Sequence, residues 1–278
     1  MLLDAEPERE HCRNFPSKFP FSGSVMELSL SILLFCPLAF MLAGFVDSVA
    51  GGGGLISVPA LLLAGVPPHM ALGSGKFAST LGSLSALWTF ARYHLVVTRI
   101  APLGFACSFL GAMGGSWLAM QIESELLGKI LVFLLPAGLL LSLLSGRSHI
   151  REGDLPERGL WIRVAFMGVL IGAYDGFFGP GTGSFFIIAQ HVLLRMGLVH
   201  ASATAKVFNL ASNMGALLTF ASGGVVLYAL AIPCALGNIV GNQIGVRLAI
   251  RVGARAVRGL LYVTLSLLTL TLIYRFFL

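Results

Sequence analysis

Charged residues are scarce in this sequence. They make up 11% of the 278 residues, whereas hydrophobic residues make up 56%, and soluble domains carry roughly a quarter charged residues. The chain therefore has too little polar surface for a soluble globular domain. Apolar runs of about 20 residues recur along it instead, and such runs are typical of membrane-spanning helices. These features predict an all-α integral membrane protein.

Patterns for disulfides, metal sites and catalysis are also missing. Three of the four cysteines lie inside apolar runs and Cys12 stands alone, so no disulfide framework is indicated. The histidines lack metal-ligand spacing, and GSGK at 73–76 is not a phosphate-binding loop because Phe77 replaces the required Ser or Thr. No nucleophile–base set is visible. We expect no enzymatic activity, no cofactor, no metal and no nucleic-acid partner.

Ten apolar segments are present, and a basic linker at residues 146–159 divides them into two sets of five. The N-terminal residues 1–26 mix both charge signs with prolines and are expected to form a disordered tail; Met26 is an alternative start. The sequence thus predicts membrane repeats at 27–145 and 160–278. The predicted segments are Leu28–Val46, Leu55–Val66, Ala71–Ala91, Ile100–Met120, Leu126–Leu144, Leu160–Phe178, Ser184–Leu194, Ala203–Ser222, Val225–Val246 and Val257–Ile273.

The distribution of Lys and Arg predicts the orientation of these segments. Basic connections occur at 92–99, 146–159, 195–200 and 247–258, and cytoplasmic loops collect Lys and Arg. Placing all four inside makes every segment cross, so the five-segment halves have opposite orientations. This is an inverted-topology repeat, which is common among secondary transporters. The alternative has segments two and seven as re-entrant hairpins, giving eight spans in two parallel halves.

Segments two and seven are too short to span a bilayer alone. A dozen helical residues rise about 18 Å, against a hydrocarbon core of about 30 Å. Glycine clusters precede both segments and would supply non-helical backbone, which the membrane interior tolerates only next to protein or water. Short, glycine-interrupted segments at matching positions are the best sequence indication of a transport site. The glycines concerned are Gly51, Gly53, Gly54, Gly179, Gly181 and Gly183.

A lysine follows each glycine cluster at a matching position. Lys76 shares a helical face with Ser79 and Ser83, and Lys206 shares one with Asn209 and Asn213. Ionisable residues inside membrane segments usually mark functional sites. We predict that these six residues and the glycine-loop amides bind a small anion, helped by four converging helix N-termini. The structural alternative is that both lysines only extend to the lipid headgroups.

An aspartate precedes each glycine cluster. Asp47 and Asp175 are candidates to carry a coupling proton or to pair with a lysine, because a buried carboxylate needs a partner. They could equally cap or brace the broken helices. Other glycines are expected only to let helices pack closely; these are Gly104, Gly111, Gly114, Gly115, Gly237, Gly241 and Gly245.

The repeated block resembles the sulfite exporter TauE/SafE family, also called the toluene sulfonate uptake permease family. The resemblance rests on the two Asp–glycine blocks and on ALGSGKF and ASATAKVFNLASN, which contain the two lysines. The two repeats differ at one position of this block, where the second half has Pro180 and the first half has Gly52. The resemblance implies an inner-membrane, multi-pass permease for sulfur-containing anions such as sulfite, sulfoacetate and sulfonates.

We therefore predict a secondary transporter of small anions that works by alternating access, one half rocking against the other. An uncoupled anion channel is the main alternative, and a membrane assembly factor or enzyme is a weaker one. The predicted partners of the protein are the anion and the lipid bilayer. The sequence leaves open the substrate, the direction, the coupling ion (proton, sodium or none) and the oligomeric state, for which a homodimer is one arrangement.

Overall fold

The computed structural model describes residues 30–145, 153 and 155–252, with the backbone alone for 135–145 and 252. This part of the chain is helical and contains no strand. Its nine helices are α1 (Leu30–Ala50), α2 (Gly54–Leu63), α3 (Pro68–Arg92), α4 (Ala101–Gln121), α5 (Ser124–Ser145), α6 (Leu160–Phe177), α7 (Thr182–Leu194), α8 (Leu198–Ser222) and α9 (Tyr228–Val252).

Four of these helices, α1, α4, α6 and α9, are long and apolar enough to cross a membrane by length and composition. Large apolar side chains cover their outer faces. Leu34, Trp117, Phe166 and Leu236 are each at least 60% exposed, which would be unfavourable in water over so wide a surface. An apolar exterior around polar interior residues is the arrangement that contact with lipid requires.

The two predicted short segments are confirmed as α2 and α7, with 10 and 13 residues. Each follows a break in the helix, at residues 51–53 and 178–181. Helix α2 stops because Gly65 adopts φ +83° and the Val66 amide donates to the Leu61 carbonyl at 3.0 Å, which is a glycine-terminated helix end. Two prolines follow, and Pro68 begins α3 without needing a hydrogen-bonded amide.

Helices α3 and α8 begin earlier than the sequence predicted. They start at Pro68 and Leu198 rather than near residues 71 and 203, because a proline or a polar stretch is tolerated in a first turn. The tenth predicted segment, the N-terminal tail and most of the linker lie outside the described residues. The opposite orientation of the halves and the re-entrant alternative both stay predictions, as do the domain boundaries.

The closest helix packing joins the first half of the chain to the second. Helix α1 lies against α9, where Gly241 and Gly245 press on the backbone carbonyls of Met41 and Phe45. A methyl group at Gly245 would lie 2.5 Å from the Phe45 oxygen. Small residues allow this approach, and such contacts stabilise helix pairs in lipid.

Helices α4 and α6 repeat this contact. Gly111 and Gly115 of α4 press on the carbonyls of Val169 and Ala173 in α6. The packing role predicted for these glycines is confirmed, with one exception. Among the described residues, Gly114 has no neighbour within 4 Å of where a side chain would be, so its packing role stays a prediction.

Two groups of helices follow from these contacts. Group 1 contains α1, α2, α3 and α9, and group 2 contains α4, α6, α7 and α8. Each group takes three helices from one half of the sequence and one from the other. The groups meet where α3 contacts α8 and where the two glycine breaks approach each other.

Candidate functional site

The two glycine breaks touch at the centre of the helix bundle. Gly51 has φ +75° and its Cα faces the backbone of Gly183, where a methyl group would collide with the carbonyl carbon. Ser184 joins the breaks, since its amide donates to the Gly51 oxygen at 3.1 Å and its hydroxyl to the Ala50 oxygen at 2.6 Å. Only glycine allows both this conformation and this approach.

An ion pair crosses from group 1 to group 2 beside this contact. The Lys76 ammonium of α3 lies 2.7 Å from Oδ1 of Asp175 in α6. It also donates to Oδ1 of Asn213 at 3.1 Å, and the Asn213 amide donates to Oδ1 of Asn209 at 2.8 Å. We call Lys76 and Asp175 the cavity pair, because both line the cavity described below.

A second ion pair crosses in the opposite direction. The Lys206 ammonium of α8 donates to Oδ2 of Asp47 in α1 at 2.6 Å and to the main-chain oxygen of Asp47 at 2.7 Å. That oxygen also accepts from the amide of Gly51, so this contact fixes the last turn of α1 and the glycine break together. We call Lys206 and Asp47 the brace pair.

The burial of the two lysines excludes one alternative that the sequence left open, namely that they extend to the lipid headgroups. The Lys76 and Lys206 side chains are 7% and 3% exposed, so neither reaches outward to the headgroups. Both aspartates lie in the last turn of a helix, where the partial negative charge of the helix end disfavours an anion. A lysine from the opposite group offsets this cost in each case.

A small cavity lies between the two groups. Its volume is about 40 Å³, which gives room for about three water molecules. Eleven of the predicted site residues line it: Asp47, Gly51, Gly53, Gly54, Lys76, Ser79, Asp175, Gly179, Gly183, Asn209 and Asn213. The structure thus brings together residues separated by more than 160 positions in the sequence.

Three predicted residues lie outside the cavity wall. Lys206 lies behind Asp47, Gly181 forms the turn before α7 with φ +83°, and the buried Ser83 hydroxyl has no partner among the described residues. Of the described helices, only α2 and α7 have their N-termini at the cavity. The prediction that α3 and α8 also begin here is wrong, because Lys76 lies more than two turns inside α3.

Three further polar residues line the cavity and were not predicted from the sequence. They are Ser57 of α2, Thr182 of α7 and Asn238 of α9. Asn238 donates to the Phe40 oxygen at 3.1 Å and accepts from the amide of Asn242 at 2.9 Å. A pair of asparagines four residues apart in an apolar segment was the available signal, since buried amides need partners inside a membrane.

Comparison with known proteins assigns the chain to a family. A family model described as Sulfite exporter TauE/SafE matches residues 36–272. The chain belongs to the TauE/SafE family. It is 36% identical to the probable membrane transporter protein YfcA of Escherichia coli K12 over 90% of this chain and 91% of YfcA.

Other TauE/SafE relatives carry similar names. The probable membrane transporter protein ORF9 of a Sinorhizobium species is 37% identical over 90% of this chain and 95% of its own length. The probable membrane transporter protein YdhB of Bacillus subtilis is 24% identical over 78% of this chain. No solved structure gives a significant match. The family and these relatives identify a membrane transporter.

Proposed function

We propose that this TauE/SafE protein is a multi-pass transporter of the inner (plasma) membrane that moves small sulfur oxyanions or sulfonates without altering them. Membership of the family supports the sulfur-containing cargo, since the family model is named for sulfite export. The relatives support transport in general, because their names specify no substrate. The residues of the cavity support an anion.

The observation that carries the proposal is the position of Lys76. Its ammonium lies in a buried cavity at the contact of the two glycine breaks, beside the amides of Asn209 and Asn213. The N-termini of α2 and α7 face the same space, and helix N-termini present free N–H groups to anions. An anion would therefore replace Asp175 as the partner of Lys76.

Lys206 has a different role in this proposal. Its ammonium already donates to two oxygen atoms of Asp47 and lies behind the cavity wall. We assign it to holding the α1 break in place, whereas the sequence had suggested that it binds the anion directly. Ser79 and Thr182 offer further hydroxyl groups to the cargo from α3 and α7.

Alternating access would move the two groups of helices rather than the two halves of the sequence. A rocking of half against half would separate α1 from α9 and α4 from α6, which are the closest helix contacts. A motion of group 1 against group 2 keeps both contacts. It changes the contacts between the groups, which include the α3–α8 contact, the glycine breaks, the smaller contacts of α1 with α7 and α8, the two ion pairs and the hydrogen bond between His69 of α3 and the Ala119 oxygen of α4.

Thermal-shift binding on detergent-purified protein tests the site. Sulfite, sulfate, taurine, sulfoacetate and aryl sulfonates are compared, because a ligand at 100 times its Kd stabilises the folded state by about 2.7 kcal/mol. One or more of these anions is expected to raise the unfolding temperature. The shift should vanish in Lys76→Ala and persist in Lys129→Ala, which removes an exposed lysine paired only with Glu125.

Either of two results would count against the proposal. If no anion in the panel raised the unfolding temperature, the proposed sulfur-containing cargo would be wrong. An unchanged response in Lys76→Ala would place the anion elsewhere in the protein.

A further inference from the structure

Asp175 has a carboxylate oxygen with no hydrogen-bond partner. Its Oδ1 contacts Lys76, but its Oδ2 is buried and has no partner among the described residues. A buried carboxylate oxygen without a partner is unfavourable, and a proton on it relieves the charge. The Asp175 side chain is 3% exposed, against 15% for Asp47, so it is the more hidden of the two acids.

The charges around the cavity sum to zero. The two lysines balance Asp47 and Asp175, and every other described side chain that lines the cavity is uncharged. The polar ones come from five helices and are Ser57 of α2, Ser79 of α3, Thr182 of α7, Asn209 and Asn213 of α8, and Asn238 of α9. Tyr174, the neighbour of Asp175 in α6, donates its hydroxyl proton to the Pro180 oxygen. An added anion would leave a buried net negative charge, which is costly.

We propose that Asp175 takes up one proton each time an anion binds to Lys76, so that the protein transports one proton with each anion. This inference rests on the proposed function. The proton comes from water on the loading side and bonds to the Asp175 carboxylate. The ion pair between Lys76 and Asp175 is thereby replaced by one between Lys76 and the anion.

The step balances without any further reactant. After the helix groups move, the anion leaves Lys76, the proton leaves Asp175 to water on the other side, and the original ion pair forms again. One cycle with a monoanion moves no net charge. One cycle with a dianion moves a single negative charge, because one carboxylate supplies one proton.

Binding of methanesulfonate to the purified full-length protein gives the first test. Methanesulfonate stays a monoanion throughout the pH range used, so any proton taken up belongs to the protein. Calorimetry in two buffers with different ionisation enthalpies is expected to show one proton taken up per anion bound. The apparent Kd should then fall up to tenfold for each unit by which the pH is lowered between 8 and 6, as linkage requires.

Two variants make this test specific. Asp175→Asn leaves Lys76 without a carboxylate partner, so methanesulfonate binding should lose its pH dependence and tighten at pH 8. Glu125→Gln is the matched control, since it removes a carboxylate from an exposed ion pair with Lys129. Its pH dependence should equal that of the unaltered protein.

Proteoliposomes test the coupling during transport. An inward proton gradient without sodium should accelerate methanesulfonate uptake, with one proton entering per anion as reported by a trapped pH dye. A potassium diffusion potential should not change this rate, but it should change the rate of sulfate uptake.

The outcomes separate the two proposals. Binding and uptake of methanesulfonate without proton uptake, or with a requirement for sodium, would overturn the coupling and leave the transporter standing. Failure to bind or transport methanesulfonate and every anion of the thermal-shift panel would overturn both. These measurements use the unaltered protein, so they decide the matter even where Asp175→Asn does not fold.

Discussion

The two ion pairs look equivalent in the sequence and differ in the structure. Each joins a lysine that follows one glycine break to an aspartate that precedes the other. The cavity pair lines the cavity, contacts Asn213 and includes an oxygen with no partner among the described residues. The brace pair adds a bond to the main chain beside Gly51 and keeps its lysine behind the wall. The repeated motif has therefore produced one ion pair that is available to a ligand and one ion pair that holds the backbone.

Replacing each ion pair by apolar residues should give the largest difference in transport between the two pairs. Lys76→Met with Asp175→Leu should lower anion transport at least about 100-fold, because about 3 kcal/mol of charge interaction with the anion is lost. Lys206→Met with Asp47→Leu should retain transport to within about tenfold, since a buried ion pair can be replaced by apolar packing at little cost. Uptake of labelled sulfite by vesicles of equal protein content measures both. Equal losses in the two variants would mean that the pairs share one role.

Removing one member of the brace pair should affect stability more than removing both. Lys206→Met leaves the partly buried carboxylate of Asp47 without its lysine and is expected to lower the free energy of unfolding by about 3 kcal/mol, the lower end of the range for a buried pair. The double variant with Asp47→Leu should recover most of this loss. Thermal unfolding in detergent, followed by the solubility of the protein after heating, compares them. A single variant as stable as the original protein would show that Lys206 does not brace the break.

The Gly51 break can be tested against Gly65, which has the same conformation and no neighbour within 4 Å among the described residues. Gly51 and Gly65 have φ +75° and +83°, but only Gly51 faces another backbone. Gly65→Ala should cost about 1–2 kcal/mol of stability from the left-handed conformation alone. Gly51→Ala should cost more, because its methyl group also collides with Gly183. Similar melting temperatures for the two variants would contradict the close contact of the breaks.

A cross-link between α1 and α9 should have the smallest effect. Cys36 of α1 and Cys234 of α9 are both buried, free and close to each other across these helices. Oxidising them in a variant without Cys12 and Cys107 is expected to leave transport unchanged, because both helices belong to group 1. Loss of uptake that a reductant restores would show that α1 and α9 move apart, as half-against-half rocking requires.

Much of the fold could be predicted from the sequence. Runs of apolar residues placed nine of the helices to within a few residues, and the glycine clusters located both breaks. The matching positions of the lysines and aspartates made pairing one of the alternatives that the sequence offered for the aspartates. These features depend on local composition or on repetition, which the sequence displays directly.

The difference between the two ion pairs could not be predicted from the sequence. It depends on which helices pack together, and the packing of α1 on α9 brings residues almost 200 positions apart into contact. Asn238 reaches the cavity wall for the same reason, because its helix lies against α1 and α3. Lys206 was assigned to the anion because its sequence context matches that of Lys76, whereas its contacts do not.

The exchange of helices between the two halves also constrains how the protein is made. Helix α1 leaves the ribosome about 180 residues before α9, which is roughly 10–40 s of synthesis at 5–20 residues per second. During that interval the α1 carbonyls that later receive the α9 glycines face lipid or an insertion factor. Neither group of helices is complete until the second half has been inserted. The first half alone is therefore an assembly intermediate, in need of protection until its partner arrives.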